Sequence, residues 1–258
     1  MKNSLFSILI LMLVPTMAGA QENSTREKAW AVGLGSVNIL DTYISQEKSR
    51  GEELRVVSYS AFHGTKHPNV VTQITHEGSL QTASPRSEDA DDIAGSYTFS
   101  YALRREWKPN HRLSFQAGAQ AELALGFLYN SRNGNNPAQL KCGLNISPSG
   151  VVAWQLPLWR KVFLLRYEVS APLVGAMFSP NYGQSYYEIF SRGNYDHNIV
   201  FTTPLNAPSL KQMLTVDIPI RRTILRVGYL GDFRQAEVNS LKYHTYSHLL
   251  VIGLTRHI

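Results

Sequence analysis

Nine apolar residues at every second position, from Leu113 to Tyr129, constrain this chain more than any other feature of it. They are Leu113, Phe115, Ala117, Ala119, Ala121, Leu123, Leu125, Phe127 and Tyr129. The positions between them carry Ser114, Gln116, Gly118, Gln120, Glu122, Ala124, Gly126 and Asn130, interrupted only by Leu128. A period of two belongs to a strand with one apolar and one polar face. A helix over the same residues would scatter Gln, Glu and Leu around its whole circumference. The run is far longer than the five or six residues usual in a globular strand. Aromatic residues near both ends of its apolar row fit the interfacial girdles of a membrane barrel.

The same alternation recurs. Tyr97, Phe99, Tyr101 and Leu103 alternate with Ser96, Thr98, Ser100, Ala102 and Arg104 over 94–107. Over 137–147, Ala138, Leu140, Cys142, Leu144 and Ile146 form the apolar row, which makes Cys142 a lipid-facing spacer and not a reactive thiol. Phe163, Leu165, Tyr167, Val169, Ala171 and Leu173 form the outer row of 161–176, and 223–236 and 242–258 follow suit. Weaker patterns predict strands over 29–40, 52–63, 68–82, 149–157, 195–203 and 210–220. Turn residues separate them: Lys108-Pro109-Asn110-His111, Ser147-Pro148-Ser149-Gly150, Arg221-Arg222, the hairpin tip around Asn133-Gly134, and a longer acidic loop from Ser84 to Asp92. The fold class expected is all-β, a single antiparallel transmembrane β-barrel of about 12 strands. A soluble β-sandwich is the competing architecture, with shorter strands and shorter apolar rows. In hydrocarbon, closure is needed because each unpaired backbone group costs several kcal/mol.

The first twenty residues form a separate object. Lys2 supplies a positive start, Leu5 to Val14 is an almost unbroken apolar run, and Ala18-Gly19-Ala20 is a cleavage site of the A-x-A kind. Residues 1–20 are thus expected to be a signal peptide, too short for a comfortable membrane anchor, and residues 21–258 the barrel domain, with Gln21 its first mature residue. The expected location is the bacterial outer membrane. One cysteine in 258 residues excludes an internal disulfide framework and any Cys-rich zinc site. The formal charge of +6 comes from scattered basic residues, which excludes a nucleic-acid footprint. No cofactor and no metal are expected.

Two places break the alternation. The first is Gly33-Leu34-Gly35 running on to Asp41-Thr42-Tyr43-Ile44-Ser45, where glycines let another backbone come close and Asp41 and Tyr43 serve either a turn or a ligand. The second is 177–198, containing Tyr182, Gln184, Tyr186, Tyr187, Glu188 and Phe190. It is either a plug or constriction, or a surface that recognises a ligand by stacking and hydrogen bonding. The strand count places it at the periplasmic end, where connections are normally short. The inward rows hold Arg104, Glu106, Glu122, Lys141, Arg166, Glu168, Asp217, Arg226 and Asp232. Such a row either pairs internally and closes the lumen or lines a narrow pore or a ligand pocket.

The stretch from Gly33 through Ser45 with Gly51-Glu52-Glu53-Leu54, the stretch Tyr182 to Phe190, and Ser247 to Leu254 resemble a family of uncharacterised proteins, carrying a domain of unknown function, from Bacteroides-type bacteria. The resemblance implies an outer-membrane location and carries no catalytic residues across. Ser247 and His248 are chain neighbours and point to opposite faces, and no G-x-S-x-G, H-E-x-x-H or G-x-x-x-x-G-K-[ST] occurs. The chain is therefore expected to be a porin-like, non-enzymatic outer-membrane barrel, either a narrow pore or a ligand-binding and transport barrel with a partly plugged polar lumen. The alternatives are a structural envelope barrel and an outer-membrane lipid-modifying hydrolase. The expected partners are outer-membrane lipids and a small polar or amphipathic ligand. No nucleic acid is expected, and the barrel is expected as a monomer. Within the lumen and its mouth, Asp41, Tyr43, Arg104, Glu122, Arg166, Glu168, Tyr182, Gln184, Tyr186, Tyr187 and Glu188 are the candidate binding residues.

Overall fold

The computed structural model describes residues 26–64, 66–87, 91–132, 134, 137–158, 161–221 and 223–257. The expected signal peptide lies outside the described residues, as do Glu88, Asp89, Asn133 and Arg222 of the expected connections. Along the described residues run β1 (Arg26–Asp41), β2 (Ser45–His63), β3 (Val70–Pro85), β4 (Asp92–Asn110), β5 (Leu113–Asn130) and β6 (Ala138–Leu158). They are followed by β7 (Lys161–Ser170), β8 (Val174–Phe178), the helix α1 (Tyr186–Phe190), β9 (Ile199–Thr202), β10 (Leu210–Ile220), β11 (Thr223–Val238) and β12 (Leu241–His257).

All pairings are antiparallel, and the sheet closes where β12 meets β1, from Glu27 opposite His257 to Asp41 opposite Tyr243. The ring passes through β1, β2, β3, β4, β5, β6, β7, β10, β11 and β12, so ten strands close it. The short β8 and β9 extend β7 and β10 outside that ring, β8 against β6 and β9 against β8. The all-β barrel expectation holds and twelve strands are present in the sheet, but the ring has ten.

The difference has a specific origin. Ser147-Pro148-Ser149-Gly150 is not a turn; it lies in the middle of β6, with Ala119 opposite Pro148. Proline normally interrupts a central strand because it cannot donate to the ladder. Here the Pro148 carbonyl accepts the Ala171 N–H at 3.4 Å, so the missing N–H faces the break between β7 and β8. That break is a bulge: between the pairs Ser149–Ser170 and Ile146–Val174, three steps on β6 oppose four on the other chain. The extra residue inverts the facing, so Phe163, Leu165 and Tyr167 point outward below it and Ala176 and Phe178 above it.

Uniting two expected strands into β6 also moves the segment 177–198. The end bearing Arg26 and His257, called here the termini end, carries the short connections after β4, β6 and β10 and the six-residue one after β2. The segment lies at the opposite, mouth end, together with the connections after β1, β3, β5 and β11. Its expected position, at the same end as the termini, is thereby corrected.

Outward rows are apolar: Trp30, Val32 and Leu34 on β1, Leu123, Leu125 and Phe127 on β5, and Leu250, Ile252 and Leu254 on β12 are all exposed. Trp107 faces Phe115 across β4 and β5, and Trp154 faces Leu113, giving an aromatic group near the termini end. Gly35 is required by the ring closure itself, because a Cβ there would sit 1.9 Å from the His248 carbonyl oxygen on β12. No helix among the described residues is long and apolar enough to cross a membrane.

Candidate functional site

The barrel interior divides into a packed half and an open half. Near the termini end, Arg226 donates to both carboxylate oxygens of Asp217 at 2.6 Å and to Glu27 at 2.9 Å. Tyr59 lies beneath it, 5.0 Å from guanidinium carbon to ring centroid, with Arg166 at 5.9 Å. The next layer is built by Arg104, which donates to Glu168 at 2.6 Å and to Gln73 and Ser149 at 2.9 Å. Arg166 joins it through Gln73 at 3.1 Å and Glu168 at 3.2 Å. Glu106 binds His63 at 3.1 Å and Gln116 at 3.2 Å closer to the termini end. Charges buried this deeply persist because each is paired and hydrogen-bonded; an unpaired one would retain its desolvation cost.

A third layer crosses the middle of the lumen. Arg55 donates to Glu53 at 2.6 Å, to Asp232 at 2.7 Å and to Glu77 at 3.5 Å. Lys211 bonds Glu77, and Arg234 bridges Asp232 at 3.0 Å and Glu122 at 3.1 Å. Between this layer and that of Arg104 remains a cavity of about 40 Å³, bordered by Ser100, Gln120 and Glu168. That is room for water and not for an organic ligand.

Above the third layer, toward the mouth, lies a chamber of about 160 Å³. Its floor is Arg55, Glu77, Asp232 and Arg234; its walls include Ile39, Ala94, Thr98, Ala124, Leu128 and Met177. Leu128, the one large apolar residue in the polar row of β5, packs inward with Val37, Ile39, Ala83 and Ala94 beside this space. Lys141 also borders it, tied to Asp41 and 4.0 Å from the Tyr243 ring centroid.

The segment 179–198 folds as a cap pinned at three places on the rim. Tyr43 in the β1–β2 turn donates its hydroxyl to the Gln184 carbonyl at 3.0 Å and meets the Tyr186 ring edge-on at 5.8 Å. The Leu140 N–H donates to the Tyr186 hydroxyl oxygen at 2.7 Å. Asn239, between β11 and β12, donates to the carbonyls of Ser179 at 3.1 Å and His197 at 2.9 Å. Within the cap, the Gln184 side chain accepts from Asn181 N–H at 3.0 Å and Asn198 at 2.7 Å, and donates to the Asn194 carbonyl at 3.0 Å. Ser185 and Glu188 form a capping box at the start of α1. The Ser185 N–H and hydroxyl hold the Glu188 carboxyl below its ordinary range. Burial pushes the Tyr186 phenol up, and burial followed by the negative charge of Asp41 does the same to Tyr43.

The candidate residues therefore fall into three groups. Arg104, Glu122, Arg166 and Glu168 belong to the ion-paired layers. Asp41 both turns the chain, accepting the Tyr43 N–H at 3.1 Å, and holds Lys141. Gln184 is a buried staple of the cap, Tyr43, Tyr186 and Glu188 anchor it, and Tyr182 and Tyr187 are exposed on it. None of the eleven borders the chamber directly. Of the residues that border it, Lys141 and Asp232 stand in the expected inward rows, whereas Arg55 and Glu77 were missed because they lie on strands whose outer rows contain Ser58, His76 and Gly78, which blurs the alternation. Asn239 was missed as well, although an Asn-Ser pair ahead of a new alternating run is a turn signal; both residues have positive φ, 51° and 59°.

Ser247 points inward onto Glu53, and His248 points outward to the Tyr229 hydroxyl at 2.7 Å. The bonded partners of His63, His76, His244 and His248 are Glu106, Tyr97, Asn38 and Tyr229, none of them a serine. Among the described residues no group of three or more His, Cys, Asp or Glu side chains is placed to hold a metal.

Among solved structures the chain is similar to the outer membrane protease OmpT from Escherichia coli, 10% identical over 91% of this chain and 97% of that one, with a TM-score of 0.47. It is similar also to an outer membrane channel from Pseudomonas putida F1, 8% identical over 95% and 100%, TM-score 0.38. Neisserial surface protein A is 8% identical over 91% and 98%, TM-score 0.35. No curated protein matches the chain. Residues 5–258 match the family described as protein of unknown function (DUF3316), and the chain belongs to that family.

Proposed function

We propose that this chain is a non-enzymatic outer-membrane barrel that binds a small, neutral, largely apolar molecule in its mouth-side chamber. The signal peptide and the Bacteroides-type source implied by the sequence agree with that location, as does the closed ring with outward apolar rows. Short connections at the termini end support placing that end in the periplasm and the cap outside the cell.

The observation that carries the ligand reading is a partly open chamber above a closed floor. Its volume is close to that of an apolar cavity of about 150 Å³ that holds benzene. The floor is already internally paired: Arg55, Lys211 and Arg234 face Glu53, Glu77, Glu122 and Asp232, leaving one carboxylate in excess. A charged ligand would have to displace these pairs, and an anion would meet repulsion as well. Outer-membrane lipids surround the barrel in this reading, and a monomer suffices for it.

The test uses 4-fluorophenol, neutral at neutral pH, titrated into the purified protein in lipid nanodiscs and followed by fluorine NMR. Saturable binding is expected, and Ala124→Trp, which fills the chamber from β5, is expected to abolish it while the heat-modifiable band on unboiled gels persists. Binding that survives Ala124→Trp, or no saturable binding, would refute the reading. In planar bilayers the barrel is expected to be electrically silent, because three ion-paired layers close the lumen; discrete conductance steps would favour the pore.

A further inference from the structure

The wall of the barrel is incompletely zipped beside the chamber. β10 pairs with β11 only from Leu210 opposite Phe233 to the termini end, and β9 pairs only with β8. On the mouth side, β11 from Arg234 to Val238 is laddered to β12, while its other edge meets the irregular segment 203–209. Opposite one another at the bulge, five steps on one chain, Ser170 to Gly175, face nine on the other, Thr202 to Lys211. Two bonds cross this seam: the Glu237 N–H to the Asn206 carbonyl at 2.7 Å, and the Gln235 N–H to the Ser209 hydroxyl at 3.4 Å.

The segment is built to be self-sufficient. Asn206 accepts the Thr203 N–H at 2.7 Å and donates to the Phe201 carbonyl at 2.9 Å, and the Ala207 N–H donates to the Thr203 carbonyl at 2.8 Å. Pro204 and Pro208 have no N–H to satisfy. A backbone in hydrocarbon is confined to its ladder by the cost of unpaired groups. This segment carries most of its own partners, so swinging it away strands the two N–H groups on β11 and the Asn206 carbonyl.

Both lips border the chamber, Thr203, Ala207 and Ser209 on one side and Gln235 and Ala236 on the other. The outer side is apolar. Phe201 continues an outward row through Leu123, Leu144 and Ala176, and Leu205 on the segment is 96% exposed. We infer that 203–209 is a lateral gate through which a small neutral molecule passes between the lipid phase and the chamber. The inference rests on the chamber reading and adds the route.

The test follows release of 4-fluorophenol in nanodiscs by fluorine exchange NMR. A Cys142→Ser protein carrying Leu205→Cys and Glu237→Cys, two exposed positions across the seam that do not border the chamber, bridged by a short bifunctional maleimide, is expected to bind with the affinity of its unbridged form and to release the probe at least tenfold more slowly. Asn206→Ala, which unties the segment, is expected to speed release severalfold. Asn239→Gly, which loosens only the cap, is expected to leave release unchanged. Equal release from bridged and unbridged protein, with binding retained, overturns the gate and leaves the chamber standing. So does release that responds to Asn239→Gly and not to Asn206→Ala. Loss of saturable binding in every form, the unmodified protein included, overturns the chamber reading and the gate together.

Discussion

Two cross-strand rows of the same barrel make a useful comparison. Toward the termini end, one inward row runs Arg104, Gly118, Ser149 and Ser170 across four strands. Nearer the mouth, another runs Thr98, Ala124, Gly143 and Met177. Both are rich in small residues, and the ring is the same ten strands. In the first, the Arg104 guanidinium occupies the space the small residues leave and is fixed there by Glu168, Gln73 and Ser149. The second carries no charged side chain, its one long residue, Met177, serving as chamber wall, and the chamber lies against it. A ten-stranded ring is wider than small residues can fill, so closure depends on which rows carry a long cation and a buried acid to receive it.

The largest expected effect comes from breaking the filled row. Arg104→Ala removes a fully buried cation and leaves Glu168 with Arg166 as its one cation, beside the Gln73 amide, so a loss of about 3–5 kcal/mol is expected. It would appear as a lower temperature for the shift between folded and unfolded bands on gels. Pairing it with Glu168→Gln should recover part of the loss, since the stranded charge goes with it. If Arg104→Ala melts like the parent, the layer is not holding the barrel shut.

A smaller effect, confined to the mouth, is expected at Asn239. Its φ of 51° suits glycine, so Asn239→Gly keeps the hairpin while removing the side-chain amide that donates to Ser179 and His197. The two bonds are together worth about 1–3 kcal/mol. Cleavage by chymotrypsin at the exposed Tyr187 and Tyr195 should accelerate severalfold, with the barrel's melting unchanged. Equal cleavage would mean that Tyr43 and Leu140 hold the cap without help.

How much of this could be read beforehand follows from the same contrast. The filled half was legible: Arg104, Glu106, Arg166, Glu168, Asp217 and Arg226 stand in alternating rows and all turn inward. Pro148 hid the ring size, because a proline among serines has the composition of a turn. The correct signal was that Ser147 and Ser149 keep the inward parity straight through it. The chamber was not legible, because a void is made by small residues on three strands that the sequence places far apart, such as Thr98, Ala124 and Gly143. The seam was hidden for a related reason. Its mark is a ladder that stops at Leu210, and a strand's missing partner leaves no trace in its own residues.

The smallest effect, and the one that separates the cap from the barrel by pH, lies at Glu188. Its carboxyl is held below the ordinary range because the ionised form accepts from the Ser185 N–H at 2.8 Å and hydroxyl at 3.0 Å. A group whose folded value is depressed stabilises the folded form fully above its unfolded value, near pH 4.3, and loses that contribution as pH falls through the folded value. Cap cleavage by an acid-active protease should therefore accelerate as pH is lowered below about 4 in the parent protein, after correction for the protease's own pH profile. Glu188→Gln retains a side chain that can cap Ser185 but cannot titrate, so its cleavage should be independent of pH across that window. The barrel's melting should not follow the Glu188 substitution in either case, because α1 bears on the rim through Tyr186 and not on the ion-paired layers. If the substitution shifts barrel and cap together, the two regions are one cooperative unit, and the division between a sealed half and an open half is energetic at neither end.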